Sequence, residues 1–242
     1  MTKKCPIQHA KSYPFDIPDS SYVLDSKGWG PLPTGGFETD GRHAVIASGS
    51  NASPLQLARK YQGHSHLLDQ PVYVTRAILQ DFDAVYSAHF SSYGSIPATL
   101  AHAPGVQSSV FVTWLTDGQL NRMHETETVG VNYDFTRLYG IHLAIENGDT
   151  LDTAHAYLSR RGCLNRDGQP VPLAELTTLG RTWTPMSQSE VLDYARSLIA
   201  PQKDTEAFIE AGIKSPALRA KRAEKLAQSA LPHGWKTLIF LS

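Results

Sequence analysis

Two short stretches carry residue types that could do chemistry together. Gly49, Ser50 and Asn51 follow an apolar run and precede Ser53, Pro54 and Gln56, a pattern that turns a strand tightly into a capped helix. Such a turn gathers backbone N–H groups and the positive end of a helix around one small space, a cradle for a carboxylate or a developing oxyanion. Farther on, Glu125 and Glu127 end a run that opens with a second cap pattern, Thr116-Asp117-Gly118-Gln119. A partly buried carboxylate can take a proton from an ammonium group near neutral pH and hand it on. Glu127 is the candidate base and acid. Glu125 is second, because the spacing leaves the register open by a couple of residues. Plainer readings stay open: both glutamates as solvated helix-end groups, Gly49 and Asn51 as turn residues, Ser50 as a donor to its own turn.

The elements that must position these residues are partly legible. His43–Ala47 is short, apolar and bounded by glycines, so a strand is expected there. A helix should follow through Leu55–Gln62 and stop near Gly63. Residues 71–82 and 83–91 are β-rich. Residues 96–105 and 108–115 follow, the last of these alternating apolar and polar like a half-buried strand. The helix after Thr116 should turn Leu120 and Met123 inward. Strands are expected again at Tyr133–Ile145 and Thr153–Ser159. Tyr157, on the last of these, either lines a pocket or sits in the core. Ser187 caps a helix running to Ala200 with Val191, Leu192, Ala195, Leu198 and Ile199 on one face, and Pro201 stops it. A basic, Ala-rich helix is predicted from Ser215 to about Ala230, with Arg219, Lys221, Arg222 and Lys225 forming a solvated face.

Residues 1–42, rich in proline, glycine and serine, read as an irregular arm that packs on the domain, because Tyr13, Phe15, Tyr22 and Trp29 need burial. The expected organisation is an arm over 1–42, one domain over 43–200 and a helical extension over 201–242. The strands lack the regular alternation of a doubly wound sheet. The expected fold class is therefore α+β, a mixed β-sheet or small barrel with peripheral helices.

Composition narrows the partners. In 242 residues, 22 basic side chains face 23 acidic ones, leaving no global field to draw nucleic acid or an anionic membrane. No stretch approaches the roughly 20 apolar residues of a membrane helix, and the N-terminal stretch lacks the apolar run of a secretory signal. Cys5 and Cys163 read as free thiols, so a cytoplasmic location is expected. A small-molecule substrate fits this balance, and a homo-oligomer stays open. His64 and His66 have no HExxH pattern or cysteine pair to support a metal site. Gly49-Ser50 lacks the GxSxG elbow of a serine hydrolase, and Cys163 beside Arg160 and Arg161 has nothing else in its favour as a nucleophile. Without GxGxxG or GxxxxGK[ST], no nucleotide cofactor is indicated.

Two stretches taken together resemble the gamma-glutamylcyclotransferase-like family. Val45-Ile46-Ala47-Ser48-Gly49-Ser50-Asn51 is similar to the family's first strand and Tyr-Gly-Ser-Asn loop, with Ser48 where the tyrosine usually stands. Val110 through Glu127 resembles the strand, short helix and acid in which the family places its catalytic glutamate, with Thr128 in place of the following glycine. Ala77–Phe82, Ala98-Thr99, Pro104-Gly105, Ala156–Leu158 and the helix opened by Ser187 run in similar order, so the resemblance spans about 43–200. It implies a cofactor-independent enzyme that cleaves a γ-glutamyl amide by cyclisation, with Glu127 as proton shuttle and Ser48, Gly49, Ser50 and Asn51 around the substrate. An amide or ureido hydrolase on the same scaffold, a non-catalytic binding module and an interaction protein using the basic C-terminal helix remain as alternatives.

Overall fold

A computed structural model describes residues 5–235 and 237–240. The described part of the arm, 5–42, is irregular only in part. It holds α1 (Pro6–Lys11) and a hairpin of β1 (Tyr22–Asp25) and β2 (Gly28–Pro31), and β1 pairs antiparallel with β4 (Val72–Tyr86). The hairpin was hidden in the sequence because each strand has four residues and β2 holds two glycines and a proline. Tyr13 and Tyr22 are buried, whereas Trp29 is exposed.

Between them in sequence lie β3 (His43–Ala47) and α2 (Pro54–Lys60). After β4 come β5 (Ala98–Leu115), α3 (Asp117–Glu127), β6 (Tyr133–Ile145) and β7 (Thr150–Ser159). The hairpin β8 (Asn165–Arg166) and β9 (Gln169–Pro170) follows, with β10 (Thr178–Leu179) pairing on β5. The chain then enters α4 (Gln188–Ile199), α5 (Thr205–Lys214) and α6 (Pro216–Ala227), and β11 (Thr237–Phe240) pairs with β6.

The main sheet closes on itself. Strand β5 pairs with β3, β3 with β7, β7 with β6, β6 with β4, and β4 again with β5, which makes a five-stranded barrel. Closure removes the free edges that an open sheet would expose. Alternation then sorts the side chains. Ile46, Leu79, Val112, Leu138 and Ala156, one from each strand, pack in one buried cluster. Val45 and Ala47 point the other way and join Leu57 of α2 with Leu120 and Met123 of α3. Full burial of side chains of this size contributes roughly 1.5–3 kcal/mol each. A third cluster seats α1, α4, α5 and α6 against the end of β4.

Several sequence expectations need correction. The two β-rich stretches expected at 71–82 and 83–91 merge into one strand that ends at Tyr86, with a register shift between Gln80 and Phe82, where Asp81 takes φ 61°. Asp81 accepts a hydrogen bond from the Gly105 amide at 2.7 Å, so the irregularity in β4 matches the Pro104-Gly105 step within β5. The cap at Ser53 does not form. Its hydroxyl is buried without a partner, and the Gln56 amide bonds the Ser53 carbonyl instead, after a short 3-10 turn over Ser50–Ala52. The patterns at Thr116 and Ser187 do form reciprocal capping boxes. The helix expected from Ser215 is α6, capped by Ser215, and a further helix not foreseen from sequence, α5, precedes it from an Asp204 cap. Arg222, expected in solvent, is 4% exposed, stacks over the Phe208 ring and donates to the Phe208 carbonyl at 2.7 Å.

Candidate active site

The loop after β3 and the last residue of α3 face each other across a cavity of about 600 Å3. The position of each follows from local structure. β3 is held between β5 and β7, which fixes Ser48 and Gly49 at the barrel mouth. The Thr116 capping box fixes the start of α3. At its other end Thr128 takes left-handed angles, φ 54° and ψ 52°, which stop the helix just after Glu127.

Asn51 Nδ2 donates to Glu127 Oε1 at 3.0 Å, and Lys60 Nζ, from the end of α2, forms an ion pair with the same oxygen. The Glu127 and Lys60 side chains are 14% and 15% exposed, so the pair is largely withdrawn from water yet open to the cavity. The side-chain oxygen of Asn51, Oδ1, is buried without a partner.

Four phenols surround this carboxylate. The Tyr13 hydroxyl accepts from the Ala98 amide at 2.7 Å and also bonds the Ser50 backbone, so one amide of the expected cradle is already taken. With both of those contacts on its oxygen, the phenol keeps its own hydrogen for another acceptor. Tyr133 donates to the Ala98 carbonyl at 3.0 Å. Burial first, then the Glu127 charge, pushes the Tyr93 phenol up to about 12, against opposing hydrogen bonds from Ser50 and Ser91. Burial likewise raises Tyr13, Tyr133 and Tyr157, with Glu127 adding to each, so all four stay protonated. His89 is buried on the same wall, with Nδ1 2.5 Å from Ser87 Oγ, and burial followed by the Arg161 charge lowers it to about 4. Among the described residues, no group of three or more His, Cys, Asp or Glu could hold a metal ion.

Of the residues singled out from sequence, Ser48, Gly49, Ser50, Asn51, Glu127 and Tyr157 all line this cavity. Tyr157 is also 8% exposed, and its hydroxyl is turned to His124 Nδ1 at 2.9 Å. Glu125 does not belong to the group. Its side chain is 64% exposed and pairs with Arg122 at 2.6 Å, outside the cavity lining. A helix rotates each residue by about 100°, so two positions along put the carboxylate on the opposite side. Tyr13, Lys60, His89 and Tyr93 were missed as site residues. Lys60 could have been found from the helix expected over 55–62, but Tyr13 had no local signal.

No protein-family model matches the chain, and no curated sequence matches it. Solved structures similar to it include the following three. One is a gamma-glutamyl cyclotransferase, 16% identical, covering 79% of this chain and 89% of its own, with a TM-score of 0.36. A second is an uncharacterized protein from Homo sapiens, 16% identical over 81% of this chain and 92% of its own, TM-score 0.38. The third is YkqA from Bacillus subtilis, 13% identical over 86% of this chain and 72% of its own, TM-score 0.39. No helix among the described residues is long and apolar enough to cross a membrane.

Proposed function

We propose that the cavity cleaves a small γ-glutamyl-type amide by intramolecular cyclisation, with Glu127 as the proton shuttle. The observation that carries this reading is the meeting of Asn51 and Glu127 at 3.0 Å inside one cavity walled by neutral phenols. The substrate's α-ammonium gives a proton to the Glu127 carboxylate, and the freed amine attacks the γ-carbonyl carbon. The new C–N bond closes a five-membered ring, and negative charge gathers on the carbonyl oxygen. Tyr13, protonated and with its own hydrogen uncommitted, is the donor for that oxygen. Collapse of the intermediate breaks the old C–N bond. Two protons in all pass from the α-nitrogen to the departing nitrogen through Glu127, giving a 5-oxoproline-type lactam and an ammonium product. Holding the amine against its own carbonyl replaces a bimolecular encounter with an internal one. Lys60 holds Glu127 in place between turnovers.

The test is amine release from a panel of γ-glutamyl amides by the wild type, Glu127→Gln and Glu125→Gln. Glu127→Gln should lower kcat by about 100-fold or more, the usual scale for a lost general base, and Glu125→Gln should leave it unchanged. Equal turnover by wild type and Glu127→Gln refutes the assignment. Product analysis separates cyclisation from hydrolysis, since only the former yields a lactam. The ion pair at Lys60 favours one second reading, a pocket that binds without turnover; that reading requires intact substrate after long incubation with saturable binding.

A further inference from the structure

The charge around the cavity is one-sided. Glu127 is the sole carboxylate among the described residues that line it, whereas Arg59, Lys60, Arg122, Arg161 and Arg219 all line it. The whole chain balances 22 basic against 23 acidic residues, so this excess is a local arrangement. Lys60 is matched by Glu127 and Arg122 by Glu125. The other three have no carboxylate partner among the described residues. Arg59 on α2 approaches the His9 ring at 3.3 Å, and Arg219 on α6 donates to the carbonyls of Gly212 and Ile213 at 2.8 and 3.3 Å. Arg161 follows β7, and its charge is felt at His89 on the cavity wall. Three elements distant in sequence thus bring guanidinium groups to one space. Like charges gathered in a partly closed cavity repel one another, and a ligand of opposite sign relieves that repulsion.

This inference rests on the cyclisation reading. The glutamyl half of such a substrate is a zwitterion with no net charge, so it leaves the excess uncompensated. We infer that the departing amine half carries two negative charges, as a phosphomonoester or a dicarboxylate does. Guanidinium is suited to both, because its fork of N–H donors meets two oxygens at once and its charge persists when water is excluded. A single carboxylate would occupy one fork and leave the others unmatched. The cavity volume, about 600 Å3, lies within the range of pockets that enclose ligands larger than a single amino acid.

The experiment has two arms. In the first, kcat/KM is measured for the γ-glutamyl amides of O-phosphoethanolamine, aspartate, alanine and ethylamine. In the second, calorimetry gives Kd for the same four free amines. The phosphorylated or the aspartyl compound should lead alanine by about tenfold or more, the scale of one added charge-assisted contact, and whichever leads identifies the acid group. That lead should collapse in Arg161→Gln and, independently, in Arg59→Gln, and shrink as salt is raised from low to physiological strength. Thermal unfolding of both variants confirms that they fold, and if one does not, the other decides. Equal kcat/KM across the four amides, or a preference untouched by the arginine variants, overturns the inference and leaves cyclisation standing. If no amide turns over but the dianionic amines still bind ahead of alanine, cyclisation fails and the anion site stands. If the four amines also bind alike, or fail to bind, the anion site is overturned as well.

Discussion

A Cβ placed on Gly49 would collide with the Tyr13 hydroxyl and press on Ala98 Cβ at 3.0 Å, so the loop after β3 and the N-terminal arm are fitted to each other at one glycine. The phenol cannot swing away without losing the bond from the Ala98 amide. Gly49→Ala should therefore destabilise the protein by about 1–3 kcal/mol, the usual cost of overpacking a filled site. Thermal unfolding should show a drop of several degrees. Tyr13→Phe in the same chain should recover only part of it, because the Tyr13 Cζ contact at 3.3 Å and the Ala98 contact remain.

Thr128 offers the opposite change. It holds φ 54° with a β-branched side chain, in a region that costs an L-residue roughly 1–2 kcal/mol. Thr128→Gly relieves this strain while loosening the unfolded chain by about 0.4–1 kcal/mol. The net expectation is a gain of about 0.5–1 kcal/mol, read as a rise in Tm. Unchanged or lower Tm would mean that the helix end is held by contacts of the threonine side chain.

His89 makes stability depend on pH. Burial lowers its folded value to about 4 from an ordinary 6.5, so between these limits the unfolded chain holds the extra proton. Its contribution is full above pH 6.5 and is lost as pH falls toward 4. The slope from this group is about 1.4 kcal/mol per pH unit at most. Denaturant unfolding at several pH values should show that slope in the wild type and a shallower one in His89→Gln.

The two cysteines should separate cleanly. Burial pushes the Cys163 thiol up to about 12, while Cys5 is exposed. A thiolate-specific reagent at neutral pH should titrate Cys5 alone in the native protein and both thiols in denaturant. Rapid native reaction at Cys163 would show that the segment around it opens.

The legible parts of this protein are those decided within one turn or one strand. Thr116 and Ser187 announce helix starts because each partner lies three residues away, and His43–Ala47 announces a strand by its run of apolar residues. Glu127 was reachable by counting along α3, and the same count explains why Glu125 points elsewhere. The Ser53 pattern failed because a buried hydroxyl and a backbone carbonyl competed for the same amide, and tertiary packing chose the carbonyl. The partners of Tyr13 were illegible for another reason. It meets Ala98 across 85 residues, and nothing near either position encodes the other. Arg222 misled in the same manner, since its burial is set by Phe208 on the preceding helix.

Among the described strand pairs of the main sheet, only β3 and β7 run in the same direction, through Val45–His155 and Ile46–Ala156. That seam joins an early stretch of the chain to a late one, and the ring cannot shut until it is made. A ribosome delivers residue 46 long before residue 156, so His43–Ala47 must wait, apolar and unmatched on one flank, while more than a hundred residues emerge. Contacts so far apart in sequence are slow to form. The cavity is consequently among the last features to appear during synthesis, and a chain stalled before His155 would have Glu127 but no seam behind the loop it faces.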